Sequence, residues 1–241
     1  MKRYCLYLFI LIGISCSAEL KAQKNGTIYK GNDPAVRYTG RTLVSPDGSV
    51  AFDWVGTYLE TRFTGGKLSV KVSETGTSYY NVFVDGKLHK VVKVCGTDTL
   101  IHLVSGIDKR IHSLKIQKRS EGEFGKTTVH QFVLSGSGRL AEEPAERTRH
   151  IEFIGNSLTC GYGTDGKHRD EPFLVETENC NLTFASMVAR YYDADYTLIA
   201  HSGRGAARNY GDSVRVSKVT MKDRMLNTFD EDLTHKWNFK E

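Results

Sequence analysis

Ser157 is the hydroxyl in this chain whose setting suits a nucleophile. It follows Ile151, Phe153, Ile154 and Gly155, an apolar run closed by a glycine, and it precedes Cys160-Gly161-Tyr162-Gly163. Such a run reads as a buried strand of a parallel sheet. A strand end aims the turn, and nearby glycines let a substrate carbonyl approach the backbone. The spacing is not G-x-S-x-G, because Thr159 stands where the second glycine would be, so this is not the nucleophile elbow of α/β-hydrolases. On these residues alone an ordinary turn after a strand is the other reading. A second stretch, His201-Ser202-Gly203-Arg204-Gly205, follows the apolar run 195–200. Parallel sheets hold ligands beyond the carboxyl ends of their strands, so both turns belong on one edge. There the backbone N–H of Gly203, or second to it that of Gly205, can donate to a carbonyl oxygen. Such a donor is worth about a hundred- to a thousand-fold in rate. A tight turn needing positive φ explains the same glycines without chemistry.

Both turns need elements to carry them. Residues 164–179 are polar, with a single Pro172, and read as a long loop. Residues 181–192 have helical periodicity, with Asn181 as cap and Leu182, Ala185, Val188, Ala189 and Tyr192 on one face. Strand, loop, helix, strand opens a parallel α/β sheet. Upstream, from Thr27 to Leu140, the texture is all-β. Short runs at 49–54, 58–63, 68–72, 80–84, 88–94, 99–104, 113–117 and 129–134 are rich in Val, Tyr, Phe and Thr. Asp85-Gly86 has the composition of a two-residue hairpin turn, and Gly65-Gly66 marks another turn. Eight or nine such strands indicate a β-sandwich, in jelly-roll form. Trp54, Tyr58, Tyr79 and Tyr80 fit either a sugar-stacking platform or, by the ordinary fate of aromatics, the sandwich core.

Lys2 and Arg3, an apolar run and Leu20-Lys21-Ala22 make residues 1–22 a secretory signal peptide, too short for a membrane span. Cys16 offers the alternative of a lipid anchor, although Gly13 stands where a lipoprotein signal carries Leu. Export places the protein in the periplasm or outside the cell. The formal charge of +5 is scattered and partly lies in the signal, so no nucleic-acid footprint is seen. Cys95, Cys160 and Cys180 remain, with no C-x-x-C pair for structural zinc. Export permits a Cys160–Cys180 disulfide; buried free thiols are the alternative. The expected organisation is a sandwich at 24–140, a charged linker at 141–149 and an α/β piece at 150–241.

Gly155-Asn156-Ser157-Leu158-Thr159 resembles the first motif of the SGNH or GDSL-type hydrolases, GDS(L/I)(T/S), with Asn156 in place of Asp. The Cys-Gly-Tyr-Gly that follows is similar to carbohydrate esterase family 2, as are Ser202-Gly203-Arg204-Gly205 with Arg208-Asn209-Tyr210, and the all-β region upstream. The resemblance implies two domains, a jelly-roll sandwich followed by an incomplete, flavodoxin-like, three-layer SGNH hydrolase domain. It implies an acetylxylan esterase-like enzyme that removes acetyl groups from a plant polysaccharide of xylan or mannan type. Ser157 would attack, and Gly203 with the Ser157 amide would hold the oxyanion. No metal or organic cofactor is implied. Two parts of the pattern do not follow: a Gly-x-Asn-Asp turn and a late catalytic His. The expectation is therefore a C-terminally truncated chain, close to inactive as it stands, with its first sheet residues Ile151, Phe153, Ile154, Leu198 and Ile199 partly exposed. Asp232-Leu233-Thr234-His235 spells Asp-x-x-His but in the wrong order, and reads as solvated surface. His201 carries no signal of a base. The alternative function is a non-catalytic carbohydrate-binding sandwich with an inactive remnant.

Overall fold

The computed structural model describes residues 26–142 and 145–240. The expected signal segment and Cys16 lie outside them. The first part is ten strands: β1 (Gly26–Lys30), β2 (Val36–Thr39), β3 (Leu43–Val44), β4 (Val50–Phe52), β5 (Tyr58–Thr64), β6 (Lys67–Val84), β7 (Lys87–Val104), β8 (Ile111–Lys118), β9 (Thr127–Ser135) and β10 (Arg139–Ala141). All are hydrogen-bonded into one sheet, in the order β10-β5-β8-β6-β9-β4-β3, with β1 on β9, β2 on β5 and β7 on β6.

The sheet folds over through β6. Its first half, Lys67 to Glu74, pairs with β9, and its second half, Tyr80 to Val84, pairs with β8. Register shifts between Val72 and Thr77 mark the crossing, as bulges do where a strand must bend. Two runs expected as separate strands are thus one, and so are the two runs of β7. Asp85 and Gly86, at φ 50 and 75, form the hairpin turn whose backbone twist needs positive φ at both places. Inside the fold Phe52, Leu59, Phe63, Leu68, Phe132 and Leu134 are buried with Tyr80, Val82 and Leu114.

The second part has two strands, β11 (His150–Gly155) and β12 (Asp195–Ala200), paired in parallel from His150↔Asp195 to Gly155↔Ala200. Between them come the one-turn helix α1 (Ser157–Cys160), a loop and α2 (Phe184–Tyr191). A further turn of helix, α3 (Met221–Arg224), comes later. The helix starts later than expected. Asn179, not Asn181, caps a short 3₁₀ turn over Cys180–Leu182, and α2 begins after Thr183. Its buried face is Ala185, Ser186 and Ala189, whereas Leu182, Val188 and Tyr192 are exposed.

The two parts are packed together, which corrects the expectation of an exposed sheet remnant. Every residue of β12 is buried, with Leu198 and Ile199 at 0% exposure. Only on β11 is the expectation met: Ile154 is 50% exposed, and Ile151 and Phe153 are half-buried. One face of β12, Tyr196, Leu198 and Ala200, packs with Val55 and Tyr58 of the sandwich and with Cys160, Cys180, Ala185 and Ala189. Ile199 on the other face meets Trp54 and Met221. Trp54 and Tyr58 are buried, but against β12 rather than inside the sandwich; Tyr80 is the core residue expected. Tyr79 is half-buried, its hydroxyl donating to Glu176 at 3.2 Å. Polar groups fasten the same seam. Arg37 and Arg147 each reach Asp195 at 2.7 Å, and the Tyr58 hydroxyl donates to it at 2.6 Å.

Candidate functional site

Ser157 stands at the carboxyl end of β11, as the first residue of α1. Asn156 caps that turn: its side-chain oxygen accepts from the Leu158 N–H at 3.2 Å. The amide therefore braces the turn as an aspartate would. Gly161, left-handed at φ 86, ends the turn and donates to the Ser157 carbonyl at 3.0 Å. Among the described residues, neither the Ser157 hydroxyl nor its backbone N–H has a partner.

Across the strand pair, His201 continues β12 and Gly203 turns the chain at φ 73, with Tyr210 donating to its carbonyl at 2.8 Å. The Gly203 N–H likewise has no acceptor among the described residues. Gly205 differs: its N–H donates to Asn209 Oδ1 at 3.2 Å, so the second-choice donor is committed. Ser157 and Gly203 line one open cleft of about 620 Å³ with Glu123, Asn156, Tyr162, Ser202, Arg204, Gly205, Arg208 and Tyr210. The two turns thus come together as expected.

Five site-supporting carboxylates escaped the reading of the sequence. Glu121, wholly buried and from the sandwich, accepts both the N–H and the hydroxyl of Ser202. Its own N–H donates to Glu178 Oε2 at 2.9 Å. Burial and the neighbouring Glu121 push the Glu178 carboxyl up to about 10, so Glu178 is protonated at neutral pH. Asp230 accepts from His201 Nδ1 at 2.7 Å, and Glu123 lies 3.6 Å from Nε2. Burial works against a charged His201, but the hydrogen bond and charge of Asp230 outweigh it and hold the imidazole above its ordinary value. Asp230 is set in turn by the sandwich, because Asp53 accepts from the N–H groups of Asp230 and Glu231 at 2.8 and 3.2 Å. These residues carry no local motif. The one trace in the sequence is the charged run from Lys118 to Glu123, which looks like surface and is buried from Lys118 through Gly122.

Three sets bring metal-binding atoms within 4.8 Å of one another: Glu121, Cys160 and Glu178; Glu121, Glu123 and His201; His201, Asp230 and Glu231. Ser202 already occupies Glu121, and His201 occupies Asp230. Burial pushes the Cys160 thiol well up, away from the thiolate a metal needs. Cys160 and Cys180 are free thiols and form no disulfide. His235 and Asp232 do hydrogen-bond, at 2.6 Å, but in a turn outside this cleft.

The chain is thus a large antiparallel sheet docked on a parallel strand pair, with a polar cleft at the strand ends. Residues 38–144 match the profile described as carbohydrate esterase 2 N-terminal. The chain is 34% identical, over 75% of its length, to the cellulase/esterase CelE of Acetivibrio thermocellus, and 31% identical, over 83%, to an acetylxylan esterase / glucomannan deacetylase of Cellvibrio japonicus. It spans 22% and 56% of those proteins. A solved family two carbohydrate esterase from Clostridium thermocellum, in complex with cellohexaose, superposes with a TM-score of 0.80 at 32% identity, over 85% of this chain and 62% of that one. Over the length it shares with them, the chain is similar to family 2 carbohydrate esterases.

Proposed function

We propose that the protein acts as a carbohydrate esterase on acetylated polysaccharide, with Ser157 as nucleophile. On this reading residues 24–140 are a jelly-roll domain, 141–149 a linker, and 150–241 the N-terminal part of an SGNH hydrolase domain. One observation carries the reading. Ser157 and Gly203 line the same cleft, and the backbone N–H groups of both are without acceptors among the described residues. A carbonyl presented to Ser157 Oγ would have its oxygen received by these two donors as negative charge develops. Glu121, by holding Ser202 at two atoms, keeps the Gly203 turn in place. His201 is not assigned the base's part, because its two nitrogens face Asp230 and Glu123. Relatives named as acetylxylan esterase and glucomannan deacetylase support acetylated xylan or mannan as the substrate class.

The test is acetate release from acetylated glucomannan by the purified protein. Ser157→Ala should lower kcat by several powers of ten, since loss of a nucleophile removes the covalent route. Retention of activity within about tenfold would refute the assignment.

A further inference from the structure

The cleft holds positive charge that the ester chemistry does not use. Arg204 and Arg208 both line it. Among the described residues, neither guanidinium makes an ion pair or hydrogen bond. Arg204 Nε is buried and without a partner. A buried donor left unpaired costs about 1–3 kcal/mol, which a ligand's acceptor would relieve. Arg37, Arg41, Arg119, Arg147 and Arg224 are each paired with a carboxylate, although the Nε of Arg37, Arg41 and Arg224 is likewise buried without a partner. The one carboxylate of the cleft lining, Glu123, faces His201 instead.

Two guanidiniums suit a planar carboxylate, which they grip through paired N–H groups. The cleft, at about 620 Å³, is far larger than a small anion needs. Tyr162 and Tyr210, 49% and 91% exposed, give it aromatic faces of the kind that pack on sugar rings. Ser157 lies in the same lining, so an anion held by the arginines belongs to the molecule whose ester reaches the serine.

We propose that this cleft takes an acidic glycan, in which a uronic acid carboxylate sits near the acylated sugar and is received by Arg204 and Arg208. The placing of the acyl group rests on the esterase reading above; the carboxylate contact does not. The experiment is titration calorimetry of the purified protein with three probes: xylotriose bearing one 4-O-methylglucuronic acid, plain xylotriose, and sodium acetate. The acidic oligosaccharide should bind about tenfold or more tighter than xylotriose at low salt. The gap should shrink at about 0.5 M salt, where exposed charges are screened. Arg208→Gln, at an exposed position, and Arg204→Lys should each narrow the gap between acidic and neutral sugar severalfold. Equal affinity for acidic and neutral sugars would overturn the proposal, and so would acetate competing as well as the acidic sugar, which would mark a bare anion site. Binding needs no turnover. A protein with the preference would keep this proposal whether or not it turned over an ester, and an active one without it would keep the esterase reading alone.

Discussion

At the scale of single residues, Glu121 decides the shape of the cleft. It is buried and accepts two hydrogen bonds from Ser202, one residue before the turn that carries Gly203. It acts through Ser202, and so is a positioning residue. Glu121→Gln keeps the volume but offers a single acceptor and brings an amide N–H against the Ser202 donors. Misplacing a catalytic group by about 1 Å can cost on the order of a hundredfold. The expected outcome is a kcat lowered about ten- to a hundredfold with KM little changed. A rise in KM at constant kcat would show that Glu121 shapes sugar binding instead. That the Ser157 and Gly203 turns meet was legible in the sequence, because each follows a short apolar strand at a glycine turn. Glu121 and Asp230 were not, because their partners lie 81 and 29 residues away and only the tertiary fold brings them together.

Among the elements, β12 is the hinge of the arrangement, since it is buried on both faces. Its bounds, like those of β11, were readable as short apolar runs. What covers them was not, because nothing in Trp54-Val55-Gly56 announces that the segment leaves the sandwich to meet another sheet. Helix α2 was misjudged for a related reason. Its apolar residues continue round the side away from β12, so periodicity found Ala185 and Ala189 but added Leu182, Val188 and Tyr192, which are exposed. Gly56 shows how close the seam is. Its φ is 75, and an added Cβ would lie 2.6 Å from Leu198 Cδ1. Gly56→Ala combines a strained left-handed residue with overpacking, for a loss of about 1–3 kcal/mol. Urea unfolding should show a lower midpoint at an unchanged slope. An unaltered midpoint would mean that β12 yields without cost and that the seam is loosely packed.

For the whole molecule, the seam makes stability depend on pH from two sides. Asp195 would be raised by burial, but Arg37, Tyr58 and Arg147 hold it well below its ordinary value of 3.8. A carboxylate depressed on folding contributes stability above its unfolded value, and that stability is lost as pH falls below it. Asp53 is the opposite case. Burial and Asp230 push it from 3.8 up to about 7, against the two N–H groups it accepts. Between those values the folded state holds more protons than the unfolded one, so stability falls as pH rises. Glu178, pushed from 4.5 up to about 10, adds to that decline. The free energy of unfolding should therefore peak at about pH 4 and decline from there toward neutrality. Asp53→Asn, which keeps one acceptor and removes the titration, should flatten the decline toward neutrality without moving the acid limb. Asp195→Ala should remove much of the acid limb and cost about 3 kcal/mol near pH 6, at the low end for a buried pair because Glu60 still faces both arginines. Sandwich and strand pair share this seam, and Arg147 ties the connecting segment to it, so both should unfold in one transition when followed by tryptophan fluorescence and by hydrogen exchange at β12. Loss of protection in β12 well before the sandwich strands would show instead that the strand pair opens alone and that Asp195 is not what joins the two parts.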